Sequence, residues 1–308
     1  MNAWLDLKGR LRELVVSRFA RCSAWMMSST VAGMVFGFLF WRMAGSAMLG
    51  ILALVQRSVE IVCNLDLLLD ETLTRAVIRY RSSGEKAKGL WVILACFALD
   101  LLIGLLVFLL IWFWVAPRAP AVFQALLAEA GLGPGEFIRL IRIYSVSMLI
   151  GTVASSGIGV LQAYERFEGM AALFGVDALA RMILPLAAWR SGLGMTGVMT
   201  AFVGQALIYN ALLVGKVWNL VRLEYAGVRP ERPAADELKE LGRFAAVVTA
   251  SRIPKETLRD LDTLILGRYA SAVQLGYYHG AKSYASKLGF FAGSVGSVLF
   301  PKLTQHAA

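Results

Sequence analysis

The sequence predicts an all-α polytopic membrane protein of about eight transmembrane helices, and three observations lead there. The chain of 308 residues is 58% hydrophobic and only 17% charged, whereas soluble domains hold roughly 45–50% apolar and about 25% charged residues. Apolar runs of bilayer-spanning length recur along it. Charged or Pro- and Gly-rich turns separate those runs.

Residues 1–21 read as a basic amphipathic helix, with Trp4, Leu5, Leu7, Leu11, Leu14 and Val15 on its apolar side. It lacks the form of a cleaved signal peptide, and the first long apolar run begins only after it. That run, 22–41, has no charge and closes at Arg42. The second, 46–69, carries Arg57, Glu60 and Asp66. The third, 89–116, holds only Asp100 and ends in Trp112, Phe113 and Trp114, an interfacial aromatic belt before Pro117. The fourth covers 137–164 and starts with Arg139 and Arg142. The fifth, 170–189, contains Asp177, Arg181 and Pro185, and the sixth, 193–221, is interrupted only by Lys216. A seventh, 242–267, is the most polar, and an eighth runs over 272–300 to Pro301.

Lys and Arg orient these spans. With the amino terminus inside, the segments 1–21, 75–88, 162–169 and 216–243 hold seventeen basic residues, and the outer turns hold four, Arg42, Arg118, Arg190 and Arg268. Basic residues collect on the cytoplasmic side, so the amino terminus is placed there. The polar stretch 223–241, with Pro230 and Pro233, divides a first six-helix unit, 22–222, from the start of a second, 242–308.

The net charge of +10 would point a soluble protein toward nucleic acid, but here it follows the loops, and no nucleic-acid partner is expected. Cys22, Cys63 and Cys96 are scattered without CxxC spacing, which supports neither a disulfide framework nor a zinc site. The two histidines, His279 and His306, are too far apart for a metal cluster, and no GxSxG, HExxH or phosphate loop occurs. Neither an enzyme nor a cofactor is expected.

Nine cations sit inside the apolar stretches: Arg57, Arg139, Arg142, Arg181, Arg252, Lys255, Arg259, Lys282 and Lys287. Each costs roughly 2.5–3.5 kcal/mol at the bilayer centre and is expected to face protein or a wet cavity. Arg57 and Glu60 share a helical face with Asn64, either as a self-neutralised pair or with Arg57 toward a ligand. Asp177 and Arg181, four apart, read as a structural ion pair. Arg139 and Arg142 read as interfacial anchors. On the seventh span Arg252, Lys255 and Arg259 fall within about 60° of one another, with Glu256 and Asp260 extending that side. Ile253, Leu261, Leu264 and Ile265 take the other side, so the polar face is expected to line a cavity. Lys282 and Lys287 lie on different faces, and Lys282 is the one expected to join that cavity.

Four stretches carry a resemblance to a known family: LDLLLDETLTRAVIRYRSSGE over 65–85, LQAYERFEGMAAL over 161–173, LDTLILGRYASAVQLGYYHGAKSYA over 261–285 and VLFPKL over 298–303. In order and spacing they resemble the Wzx-type polysaccharide (O-antigen) flippases of the multidrug/oligosaccharidyl-lipid/polysaccharide (MOP) exporter superfamily. The resemblance implies two six-helix lobes around a cavity open alternately to either side, in a bacterial inner (plasma) membrane. It implies transport for cell-surface polysaccharide and lipopolysaccharide biosynthesis. The cargo would be an undecaprenyl-diphosphate type of lipid-linked oligosaccharide, with membrane lipids and polysaccharide polymerase or export machinery as partners. Arg57, Arg252, Lys255, Arg259 and Lys282 would then hold the diphosphate. Family members have twelve to fourteen spans, so the resemblance also implies a C-terminally truncated chain with only two helices of the second lobe.

Two other classes stand beside this one. A cation-coupled multidrug exporter is expected to use acidic cavity residues, and the intramembrane excess here is basic. A glycan polymerase or non-transporting scaffold remains, although a polymerase is expected to carry a large outer loop and the longest here is about 20 residues.

Overall fold

The computed structural model describes residues 18–64 and 69–285. The described residues form helices joined by short turns, with no strand. In chain order they are α1 (Arg18–Cys63), α2 (Leu69–Ser82), α3 (Lys86–Leu110), a π-helical turn (Ile111–Val115), α4 (Ala116–Val122), α5 (Gln124–Glu129), α6 (Pro134–Gly151), α7 (Val153–Ala163), α8 (Phe167–Arg190), α9 (Gly194–Glu224) and α10 (Ala235–Tyr269). A further helix, α11, covers 272–285.

α1 contains the first two expected spans, broken at Gly45, whose φ of 85° and ψ of 167° are not helical. A positive φ is open to glycine without penalty. The chain folds back there. Phe36 meets Phe202 at 6.0 Å between ring centroids, Phe202 meets Tyr144 at 5.9 Å, and the Tyr144 hydroxyl donates to Glu60 at 3.0 Å. A straight helix would separate Phe36 from Glu60 by about 36 Å at 1.5 Å per residue, which this chain of contacts excludes.

The third span runs on past its expected end. The helix continues through the π turn Ile111–Val115 into α4. Pro117 has no amide to donate, and its ring crowds the carbonyl one turn earlier, which accounts for the wide turn before it. α9 ends at Glu224 and α10 begins at Ala235. The polar stretch 235–241 is therefore helix, and the non-helical connection is confined to the segment with Pro230 and Pro233.

Successive helices run antiparallel between two ends. One end gathers the turns 83–85 and 164–166 and the 225–234 connection, where the hydroxyls of Tyr164 and Tyr225 meet at 2.9 Å. The other gathers Gly45, the 130–133 turn and the 191–193 turn. Each end has its own core. The first packs Leu73, Val77, Ile93, Leu161 and Leu213, and the second packs Phe40, Ile51, Leu54, Phe137 and Met199.

Five helices among the described residues are long and apolar enough to cross a membrane: Val31–Cys63, Lys86–Val122, Pro134–Ala163, Phe167–Arg190 and Gly194–Glu224. The expected count is eight. The difference has three sources: two expected spans share α1, α10 is long but densely charged, and the eighth span passes beyond the described residues. The amphipathic segment 1–21 falls largely outside them too, and Asp66, Lys287 and the 298–303 stretch fall outside entirely.

Candidate functional site

Between the helices lies a cavity of about 840 Å³, walled by both limbs of α1 and by α6, α8, α9 and α11. Its charged lining residues are Arg57, Glu60, Asp177 and Arg181. They come in two helical pairs, as their spacing requires. Arg57 Nη1 sits 2.6 Å from Glu60 Oε2, three residues on, and Arg181 Nη2 sits 3.3 Å from Asp177 Oδ2, four residues back. Each acid has a second donor. Tyr144 donates to the other oxygen of Glu60 at 3.0 Å, and Gln205 Nε2 donates to Asp177.

Arg57 also reaches across the structure. Its Nη1 atom lies 2.8 Å from Asp260 Oδ1, 203 residues away on α10. Asp260 is 1% exposed. Arg57 is therefore both a wall of the cavity and the counter-ion of a buried acid, which resolves the two readings open from sequence into one residue with two roles. The pair Asp177 and Arg181 forms as its spacing predicts, but it lines the cavity, and Arg181 is 54% exposed.

The polar face of α10 is placed differently from the expected cationic stripe. Arg252, Lys255, Arg259 and Lys282 are not among the residues lining this cavity. Arg252 turns toward α2, where it meets Glu71 at 3.4 Å and Asp70 at 3.8 Å. Arg259 pairs with Glu256 at 2.7 Å on its own helix, and Lys255 is exposed. Lys282 binds Asp262 and the Arg259 carbonyl oxygen, and it reaches Thr263 Oγ1 at 3.4 Å. Acids three or four residues away, or on the adjoining helix, take up these cations before a cavity can. Arg142 follows the interfacial reading: its guanidinium lies 5.0 Å from the Trp112 ring centroid, within the aromatic belt.

Sequence reasoning missed Asp260, Tyr144 and Gln205 as members of this network. The available signal was weak: Gln205 and Asn210 are amides within the apolar sixth span. Both are buried, at 7% and 5% exposure, and polar groups in such a span mark packing contacts or a cavity.

Comparison with known proteins places this architecture. A solved MOP superfamily transporter from Pyrococcus furiosus Vc1 (DSM3638), described for the reverse polarity of its binding pocket and a suggested different function, superposes with a TM-score of 0.56 at 14% identity. The match covers 92% of this chain and 67% of that one, so the two share a fold. No curated protein sequence matches the chain. A family model described as polysaccharide biosynthesis protein matches residues 20–306, nearly the whole chain. The helices, the central cavity and that match agree: this multi-pass membrane protein belongs to the polysaccharide biosynthesis protein family, whose fold is that of a MOP superfamily transporter.

Proposed function

We propose that the protein moves an isoprenoid-diphosphate-linked oligosaccharide outward across the bacterial inner membrane by alternating access, with the amino terminus in the cytoplasm. The observation that carries this reading is Arg57 on the wall of a cavity of about 840 Å³, in a chain of the polysaccharide biosynthesis family. A guanidinium presents a planar fork that matches phosphate oxygens two at a time. Arg181, on the same wall, supplies the second cation. Arg57 and Arg181 replace the α10 stripe as the proposed anion-binding pair, and Arg252, Lys255, Arg259 and Lys282 are assigned to packing and ion pairing.

A cation-coupled exporter is the second reading, favoured by one observation: Glu60 and Asp177 also line the cavity. Gene deletion followed by complementation separates the two. In the flippase reading, deletion leaves lipid-linked oligosaccharide on the inner leaflet and removes surface polysaccharide, and the Arg57→Gln and Arg181→Gln double variant fails to restore export. Export that persists after deletion, with raised drug sensitivity instead, overturns the flippase reading in favour of the exporter.

A further inference from the structure

Arg57 holds two carboxylates at once, and they come from opposite sides of the 225–234 connection. Glu60 lies on its own helix at 2.6 Å, and Asp260 lies on α10 at 2.8 Å. Both bond the same Nη1 atom. Asp260 depends on this contact. It is 1% exposed, its Oδ2 has no hydrogen-bond partner among the described residues, and Arg259 comes only to 3.7 Å of its Oδ1. A carboxylate removed from water in this way is tolerated only while a cation stays beside it.

The cavity wall and the counter-ion of Asp260 are thus one guanidinium. An anion entering the cavity meets Arg57 with its Nη1 already shared by two acids. To bind bidentately, it must take that nitrogen from at least one of them. Glu60 has a replacement donor in the Tyr144 hydroxyl at 3.0 Å, and it is 28% exposed, so it can give up Arg57 at modest cost. Asp260 has no such replacement. Losing Arg57 strands its charge, and the strain falls on α10.

We propose that Asp260 is a positioning residue that an entering diphosphate displaces from Arg57, so that anion binding and the contact between α1 and α10 exclude each other. This rests on the reading of the cavity as a diphosphate site. By linkage the exclusion runs both ways: holding α10 against α1 lowers anion affinity, and the anion releases α10. α10 is built to yield near this point. Pro254 lies inside it, six residues before Asp260, and removes one bond from the backbone ladder. The ion pairs of Arg252 with Asp70 and Glu71 on α2 are partly exposed and hold α10 only weakly.

The test uses the purified full chain in nanodiscs with inorganic pyrophosphate and farnesyl diphosphate as probes, and farnesol as the control lacking phosphate. The Asp260→Asn variant is expected to bind both diphosphates at least about tenfold more tightly than wild type, a factor within the usual range of site coupling. The Arg57→Gln variant is expected to lose that binding. In wild type, saturating pyrophosphate is expected to speed hydrogen exchange over 252–263. If Arg57→Gln loses binding while Asp260→Asn binds no tighter than wild type, displacement is overturned and the diphosphate site stands. If Arg57→Gln binds as wild type does, or farnesol binds as well as farnesyl diphosphate, the diphosphate reading falls and the proposal with it. Should Asp260→Asn fail to fold, the wild-type exchange decides alone: no acceleration with bound pyrophosphate overturns displacement.

Discussion

At the scale of single residues, the balance is set by what happens to an acid when its only cation is removed. Asp260 at 1% exposure and Glu60 at 28% share Arg57. Removing one partner of a buried pair costs about 3–5 kcal/mol because the remaining charge stays desolvated. Arg57 is 23% exposed, and Glu60 keeps Tyr144, so Arg57→Gln is expected near the lower end, about 3 kcal/mol. Asp260→Asn is expected to cost less, because Arg57 retains Glu60. Combined in one chain, the two changes are expected to be less damaging than their sum by at least about 1 kcal/mol, the mark of direct coupling. Thermal unfolding of the four proteins in one detergent measures this cycle. Strict additivity would mean that the 2.8 Å contact contributes nothing to stability. Tyr144→Phe isolates the other arm; it removes one hydrogen bond to Glu60 and is expected to cost about 1 kcal/mol by the same measurement.

At the scale of elements, much of the architecture could be read from sequence, and the gaps have physical causes. Apolar runs of bilayer length located the third to sixth spans because a helix that crosses lipid must satisfy its backbone internally over that length. Their ends were less legible. Hydropathy does not register that Gly45 reverses the chain in one residue, or that the helix continues through Pro117 by widening a turn. Ion pairs at three and four residues, such as Arg57 with Glu60 and Asp177 with Arg181, were visible because helix geometry dictates them. Asp260 as the partner of Arg57 was not, since 203 residues separate them and no local rule spans that distance. The cationic stripe of α10 misled for a related reason. Its periodicity marked a polar face correctly, but Asp70 and Glu71 on α2, which take Arg252, are contributed by another element. Helix crossings were equally hidden. A Cβ at Gly276 would collide with the Ser46 carbonyl oxygen, and one at Gly50 with that of Ala272, so α11 and the second limb of α1 touch backbone to backbone. Gly276→Leu is therefore expected to destabilise by about 1–3 kcal/mol through overpacking. Gly280→Ala, whose Cβ would meet Leu49 at 3.9 Å, is expected to be neutral in the same unfolding assay.

At the scale of the whole molecule, the α1–α10 contact has a counterpart at the end that the basic residues place in the cytoplasm. There α2 and the start of α3 meet the first turns of α10. Glu240 bonds Arg79 at 2.9 Å and approaches Arg75 at 3.7 Å, while Glu237 accepts from Lys88 at 3.3 Å and from the Tyr80 hydroxyl at 3.2 Å. Arg79 holds the Glu240 carboxyl below its ordinary range, by its hydrogen bond and then by its charge. Desolvation works against Glu237, yet bonds from Lys88 and the Ala234 amide hold it below its ordinary range as well. A carboxyl with a lowered folded value contributes stability above the unfolded value and loses it as pH falls through the folded one. The link is thus complete at neutral pH and is lost in acid, below the ordinary carboxylate range. The charges of Arg79 and Glu240 are about half exposed, so salt screens them over a Debye length of about 3 Å at 1 M. If this electrostatic link holds α10 to α2, spin labels at the exposed positions Ile78 and Val247 should separate in 1 M NaCl, and again in acid at low salt. The Arg79→Glu variant should show the wider separation at neutral pH without added salt, because it sets like charges opposite Glu240. Unchanged label distances across all three conditions would leave the apolar contacts of α10 to hold that end closed, with the ion pairs incidental. Separation in all three would make the cytoplasmic end a charge-held closure. The two lobes of the proposed transporter would then be tied at this end by Glu237 and Glu240, and at the cavity by Asp260.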